Sequence, residues 1–132
     1  MTATLYLTGF EPFLQLETNP TEGLVHALDG ETAGPLRVHG RVLPVTWADA
    51  PRVLLEDLDR LSPAMSLLLG VSGQASTLHL ERFAYNAMRS SFADNAGVTL
   101  PETPIDVGAP LDQAHATSVD PEPIAARLCE AG

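Results

Sequence analysis

The stretch MSLLLGV, residues 65 to 71, is a short and nearly continuous apolar run. Such a run is typical of a parallel strand that is buried on both faces by flanking helices. It follows two other predicted strands, ATLYL at 3–7 and LRVHGRVLPV at 36–45. With a helix predicted between each pair of strands, this order implies right-handed parallel crossovers. The sequence therefore predicts an α/β fold, a three-layer sandwich around a mainly parallel twisted sheet.

The two intervening helices have clear boundary signals. The first begins at NPTE, residues 19 to 22, where Asn19 can cap the helix and proline follows at the first helical position. We expect it to reach Leu28, because Asp29-Gly30 supplies turn residues. The second lies in WADAPRVLLEDLDRLS, residues 47 to 62, with Pro51 in its first turn. Its apolar residues at helical spacing are Ala50, Val53, Leu54, Leu58 and Leu61.

The rest of the chain has weaker patterns. Residues 77–86 look extended, and residues 92–120 are rich in Pro, Gly, Asp and Asn, which predicts a long irregular connection. A last helix should begin after Asp120 and end near Gly132. Within it, the single cysteine, Cys129, is expected to be a small buried apolar residue.

Composition narrows the class of protein. A chain of 132 residues fits one domain, 1–132, and a net charge of -10 argues against nucleic acid or an anionic membrane as partner. No segment approaches the roughly 20 apolar residues of a membrane span, and no signal-peptide pattern is visible, so we expect a cytoplasmic protein. One cysteine and four histidines without metal-ligand spacing predict no metal site and no cofactor.

The segment TGFEPF, residues 8 to 13, places two aromatic rings directly after the first strand. Phe10 and Phe13 either fold back onto the core or line a site that a ligand covers. Ligands in α/β sheets tend to bind beyond the carboxyl ends of the strands, where both this loop and the loop at residues 71–74 should lie. As the cap of the next helix, Asn19 should also fix the geometry of the aromatic loop.

Several motifs together resemble the pyrrolidone carboxyl peptidases (pyroglutamyl peptidase I), thiol proteases that remove an N-terminal pyroglutamate from peptides. The matching segments are TGFEPF at 8–13, NPTE at 19–22, GRVLPV at 40–45, LGVSG at 69–73, LERFAYNA at 80–87, DNAG at 94–97 and GAP at 108–110. They follow one another in order along the whole chain. The resemblance implies a phosphorylase/hydrolase-like α/β sandwich, peptides with N-terminal pyroglutamate as partners, and a homo-oligomer.

The resemblance also implies roles for individual residues. Phe10, Phe13 and the backbone at Val71 would form the pocket for the pyroglutamyl ring, and Asn19 would support it. Glu81 would be the acidic member of a Cys-His-acid triad, orienting the histidine. Without the family, Glu81 beside Arg82 is typical of a solvated charge pair on an edge strand.

The resemblance also has gaps. The cysteine nucleophile and the histidine base of the family lie beyond the matched region, so we expect this chain to lack them along with the C-terminal part of the fold. A non-catalytic binding or interaction module on a degenerate peptidase scaffold is the alternative. An incomplete sheet should expose residues 65–71 as an edge and favour oligomerisation. The family's usual glycine pair after FEPF is replaced by Leu14-Gln15, and its arginine before DN by residues within 90–92.

Overall fold

A computed structural model describes residues 2–132, which divide into two compact units. The first unit runs to Ser72 and also includes Phe92–Val98. The second comprises Gly73–Ser91 and Thr99–Gly132. A single domain, 1–132, stays a prediction.

The first unit contains a four-stranded mixed sheet and two helices. Its elements are β1 (Ala3–Phe10), α1 (Pro20–Leu28), β2 (Thr32–Ala33), β3 (Leu36–Leu43), α2 (Asp49–Leu61) and β4 (Met65–Leu68). The strand order is β2-β3-β1-β4, with β1 parallel to both β3 and β4 and β2 antiparallel to β3. This architecture confirms the predicted α/β class with a mainly parallel sheet. The two residues of β2 are too few to show an alternating pattern, so the sequence did not predict this strand.

The two helices pack on opposite faces of this sheet. Leu5 and Leu7 of β1 form a buried apolar cluster with Val25 of α1. Tyr6, between them in the strand, donates a hydrogen bond to Asp57 of α2. Because successive side chains of a strand point to opposite faces, α1 and α2 lie on different sides of β1. The bounds of both helices agree with those predicted from the sequence. The complete three-layer sandwich stays a prediction.

A buried polar network joins α2 to the sheet. Asp57 is 2% exposed, and its carboxylate accepts a hydrogen bond from the Tyr6 hydroxyl at 2.9 Å. It also accepts Arg41 Nε at 2.6 Å and Arg60 Nη2 at 2.7 Å. Hydrogen bonds from Arg41, reinforced by Arg60 and Tyr6, hold the pKa of Asp57 well below its usual range. Burial, with help from Asp57, raises the pKa of Tyr6 to about 12.

Two glycines allow α1 to approach the sheet closely. A Cβ atom on Gly9 would lie 2.5 Å from the carbonyl oxygen of Thr21, and one on Gly40 would lie 2.9 Å from Val25 Cγ1. Real Cβ atoms essentially never make such contacts, so any side chain at Gly9 would displace the start of α1. The glycine of TGFEPF is therefore required by packing.

The strand β4 corrects one prediction. Its side chains are exposed, with Met65 at 38%, Leu67 at 46% and Leu68 at 56%. Burial on both faces is therefore wrong for residues 65–68. Within residues 2–132, β4 pairs only with β1 and forms the edge of the sheet, so nothing covers its other side. This exposed edge agrees with the expectation that the sheet of this chain is incomplete.

The second unit consists of short antiparallel strands and one helix. Its elements are β5 (Phe83–Tyr85), β6 (Met88–Ser90), β7 (Leu100–Thr103), β8 (Ala114–Ala116) and α3 (Pro121–Ala131). β5 pairs with β8, and β6 pairs with β7. Residues 92–120 were predicted to be irregular throughout, which is wrong because they contain β7 and β8. Strands of three or four residues are too short to reveal their period.

The last helix begins where it was predicted. Asp120 caps α3, since its carboxylate accepts the Glu122 N–H at 3.1 Å. Of residues 77–86, by contrast, only 83–85 form a strand. Within the described residues no helix combines the length and apolar character that crossing a membrane requires.

Asn86 organises the loop that follows β7. Among the described residues of the second unit it alone is buried. Its amide nitrogen donates to the carbonyl oxygens of Asp106, Ala109 and Pro110 at 2.9, 3.1 and 3.2 Å. Its side-chain oxygen accepts the Asp106 N–H at 2.7 Å. One amide side chain thus contacts four backbone groups of this loop, with its two N–H groups shared among three carbonyl oxygens.

Candidate active site

The two rings of the aromatic loop, residues 8 to 13, are both half-buried. Phe10 ends β1, and its N–H donates to Thr21 Oγ1 at 2.9 Å. Phe13 lies in the loop, where its carbonyl accepts the Leu16 N–H. Neither ring belongs to the buried apolar cluster of the first unit. Each therefore presents part of its surface outside the core.

Asn19 connects the start of α1 to this loop. Its side-chain oxygen accepts the Thr21 N–H at 3.0 Å and the Thr21 hydroxyl at 2.7 Å. Its amide nitrogen donates to the Glu11 carbonyl at 3.2 Å. These contacts confirm that Asn19 caps the helix, and they show that the same side chain holds the backbone between the two rings.

Glu11 and Asn95 form contacts that the sequence did not predict. Glu11 Oε1 accepts the Val45 N–H at 3.0 Å and Asn95 Nδ2 at 2.9 Å. Asn95 Nδ2 also donates to the Pro12 carbonyl at 3.0 Å. Both residues lie in segments that resemble the family, TGFEPF and DNAG, and that placement was the only signal. Nothing in the local pattern indicates that residues 84 positions apart meet.

The residue that follows Phe13 in the loop has a strained backbone. Leu14 has a φ of 57°, in the left-handed region, where a side chain costs about 1–2 kcal/mol. The resemblance to the family implies a glycine at this position. The replacement by leucine thus falls at a position where glycine would be unstrained.

Val71 follows the neighbouring strand at the same edge of the sheet. Thr8 of β1 is in register with Leu68 of β4, and the Leu69 N–H donates to the Thr8 carbonyl at 2.9 Å. The two strands are parallel, so the aromatic loop and Val71 both continue from their carboxyl ends. Val71 itself is half-buried. For these two segments of the first unit, the predicted common edge is confirmed.

Glu81 belongs to the second unit and precedes β5. Its side chain is exposed, and within residues 2–132 it has no hydrogen bond or ion pair. The neighbouring Arg82 pairs through Nη2 with Glu122 Oε1 of α3. The interpretation of Glu81 and Arg82 as a charge pair on an edge strand is therefore wrong, because Arg82 has another partner and β5 begins only at Phe83.

Cys129 lies on α3 and is exposed, so its predicted burial is wrong. Its helix has no buried residue, because the second unit offers no apolar core to cover it. The thiol borders an open groove of ≈ 820 Å³ in the second unit, and the residues lining that groove include no histidine. Across the described chain, no group of three or more His, Cys, Asp or Glu side chains could hold a metal ion.

The family model for pyroglutamyl peptidase matches residues 3–132. The chain belongs to the pyroglutamyl peptidase family. The pyrrolidone-carboxylate peptidase of Pyrococcus furiosus is 36% identical over 126 residues, which is 96% of this chain and 60% of that protein. The pyrrolidone-carboxylate peptidase of Chromobacterium violaceum is 36% identical over 129 residues, with 98% and 60% covered.

Solved structures of the family agree with this fold. The pyrrolidone carboxyl peptidase of P. furiosus superposes with a TM-score of 0.91 at 36% identity, covering 98% of this chain and 61% of that chain. The present chain spans about 60% of the length of the curated relatives that it matches.

The site residues that the family implies are divided between the two units. Phe10, Phe13, Asn19 and Val71 lie in the first unit, at or behind the carboxyl edge of the sheet. Glu81 lies in the second unit. Their roles in a pyroglutamyl peptidase reaction stay predictions.

Proposed function

We propose that this chain provides the ring pocket and the acidic triad member of a cysteine-dependent exopeptidase that removes N-terminal pyroglutamate from peptides. The observation that carries the proposal is the aromatic loop, with two half-buried rings on a backbone tied to the strand ends. Pyroglutamate is a small, neutral, flat lactam. Its two faces suit aromatic walls, and its single carbonyl and N–H suit backbone hydrogen bonds.

The chemistry divides among a thiolate, a histidine and a carboxylate. The histidine takes the thiol proton, and the thiolate attacks the carbonyl of the bond after pyroglutamate to form a thioester. The histidine then protonates the leaving amine, and water hydrolyses the thioester to free pyroglutamate and the thiol. We assign the carboxylate to Glu81, whose exposed side chain has no ion-pair partner within residues 2–132. The nucleophile and base are assigned outside residues 1–132, because Cys129 has no histidine beside its groove.

A ring-binding experiment tests the pocket. We expect Phe13→Ala to weaken the binding of 2-pyrrolidone, measured by NMR titration, with little change in stability. The matched control Phe83→Ala removes an exposed ring of the second unit and should leave binding unchanged. If Phe13 is instead a core residue, its loss should cost about 3–5 kcal/mol. A Phe13→Ala protein that unfolds more easily but binds the lactam equally well per folded molecule would refute the pocket.

A turnover experiment tests the assignment of the triad. We expect the species that hydrolyses a chromogenic pyroglutamyl amide to have an intact mass above 14.0 kDa and to be inactivated by thiol alkylation. Glu81→Gln should lower its kcat with folding intact, because the charge that stabilises the imidazolium is lost. Turnover by a 14.0 kDa species that stops when Cys129 is alkylated would overturn the assignment of the nucleophile.

A non-catalytic binding module is the second candidate. The exposed Cys129, on a groove without histidine, favours it for residues 1–132 taken alone. Lactam binding without any turnover by the purified native species would support this candidate over the peptidase.

A further inference from the structure

Glu11 lies between Phe10 and Phe13 in the sequence, and its carboxylate accepts a hydrogen bond from Asn95 of the segment Phe92–Val98. We propose that Glu11 and Asn95 are positioning residues: together they form a polar clamp that sets the spacing of the Phe10 and Phe13 rings for a bound lactam. The inference rests on the proposed function, because it concerns the same pocket. It adds two residues that touch the loop backbone rather than the substrate.

Leu43, Asn19 and Asn95 together satisfy the backbone between Phe10 and Phe13. The Glu11 N–H donates to the Leu43 carbonyl at 3.0 Å, and the Glu11 carbonyl accepts Asn19 Nδ2 at 3.2 Å. Pro12 has no N–H, and its carbonyl accepts Asn95 Nδ2 at 3.0 Å. Each backbone polar group of residues 11 and 12 therefore has a partner, so this short segment has little freedom to move.

The far side of the clamp is anchored as well. The Val45 N–H donates to Glu11 Oε1 at 3.0 Å, while the Val45 carbonyl accepts the Asn95 N–H at 2.9 Å. Asp94 fixes the turn that contains Asn95, since its carboxylate accepts the N–H groups of Trp47, Ala96 and Val98 at 2.8–2.9 Å. Asn95 is thus fastened to the chain after β3, which makes it a fixed partner for Glu11.

Fixed rings matter because a lactam held between two aromatic walls needs them at one separation. If the loop were free, part of the binding free energy would be spent on ordering it, and the affinity would fall. Sites are tightest when supporting hydrogen bonds hold the contacting side chains in place. Both bonds that Glu11 accepts end on Oε1, so a neutral carbonyl oxygen at that point can replace the carboxylate.

Three variants separate positioning from general stability. We expect Glu11→Ala to raise the Kd for 2-pyrrolidone at least about tenfold, because two hydrogen bonds to a charged acceptor are lost. Glu11→Gln keeps the acceptor and should stay within about threefold of the wild type. The control Val38→Ala opens the core of the first unit, so it should lower stability but leave the Kd of the folded protein unchanged.

A paired replacement tests the contact itself. Asn95→Asp removes the donor and places a second carboxylate against Glu11, so we expect it to weaken lactam binding at least as much as Glu11→Ala. The double variant Glu11→Gln/Asn95→Asp reverses the hydrogen bond, because the amide introduced at position 11 can donate to the carboxylate introduced at position 95. It should recover a large part of the affinity for the lactam. Equal lactam affinity in the wild type, Glu11→Ala and Asn95→Asp would overturn the clamp while leaving the pocket intact. If the wild type itself binds no lactam, both the proposed pocket and the proposed clamp are refuted.

Discussion

The two units of the chain are organised by different forces. The first buries apolar side chains of β1, β3 and α1 in one cluster and a polar network on the opposite face of β1. In the second, α3 has no buried residue, and the order comes from short backbone ladders and the amide of Asn86. Large apolar residues such as Leu78 and Val107 remain 79% and 90% exposed there.

This difference shows that regular secondary structure and stability need not coincide. Both units have regular secondary structure, yet only the first removes much apolar surface from water, at about 25 cal/mol for each Å² buried. Regions with few buried apolar contacts open at low free energy. We therefore expect amides of β1 and β3 to exchange far more slowly than those of β5, β8 and α3. Equal protection in both units would break the comparison.

Removing the Asp57 carboxylate should have the largest effect. Asp57→Ala leaves the buried Tyr6 hydroxyl without its acceptor and separates two arginines from their partner. We expect the free energy of unfolding of the first unit to fall by about 3 kcal/mol, as when one partner of a buried pair is removed. Urea denaturation measures this loss. Asp59→Ala, an exposed carboxylate on the same helix, should change stability by less than about 0.5 kcal/mol.

The same network predicts a pH dependence of the first unit. The folded-state pKa of Tyr6 is raised to about 12, so its contribution is complete below about pH 10 and is lost as the pH rises towards 12. The loss should be of order 2 kcal/mol, and Tyr6→Phe should remove this alkaline slope. The pKa of Asp57 is lowered, so its contribution is present above about pH 4 and disappears as the pH falls further.

Asn86 offers the matching test in the second unit. Asn86→Asp replaces the amide donor by a carboxylate that faces three backbone carbonyls. We expect a local loss of about 1–2 kcal/mol, seen as faster exchange of amides in residues 104–110. The exchange of β1 amides should not change. A simultaneous loss of protection in β1 would show that the two units unfold together.

The smallest effect should be a gain in the first unit. Leu14→Gly relieves the left-handed backbone at φ 57° and should raise stability by up to about 1 kcal/mol, less the added freedom of the unfolded chain. Gln15→Gly is the matched control. Its φ is not positive, so glycine there should lower stability slightly. A loss of stability in Leu14→Gly would mean that the Leu14 side chain stabilises the loop more than its strain costs.

The sequence predicted most of the first unit because its signals are local. The cap at Asn19, the proline after it and the turn at Gly30 fixed α1, and the apolar spacing within residues 47–62 fixed α2. The apolar run of β4 predicted burial, because such a run looks the same whether or not another strand covers it; only the gap in the family resemblance predicted an exposed edge there. The buried position of Asp57 was hidden for a similar reason, since its partner Tyr6 lies 51 residues away.

The candidate site was only partly accessible to sequence reasoning. TGFEPF drew attention to Phe10 and Phe13, and the resemblance to a family added Val71 and Glu81. The contact of Glu11 with Asn95 could not be read from either segment, because it depends on how residues 92–98 return to the first unit. In the second unit, three-residue strands and a polar anchor leave little pattern to read.

The discontinuity of the first unit has a consequence for its biosynthesis. All four strands of the sheet are complete once Leu68 has left the ribosome, but Asn95 has yet to emerge from the exit tunnel. At typical rates of translation this interval lasts about one to five seconds, long compared with the folding of a small sheet. During that time the nascent chain would carry a formed sheet and an unfastened aromatic loop. Its two rings would then be open to chaperones until the DNAG segment arrives.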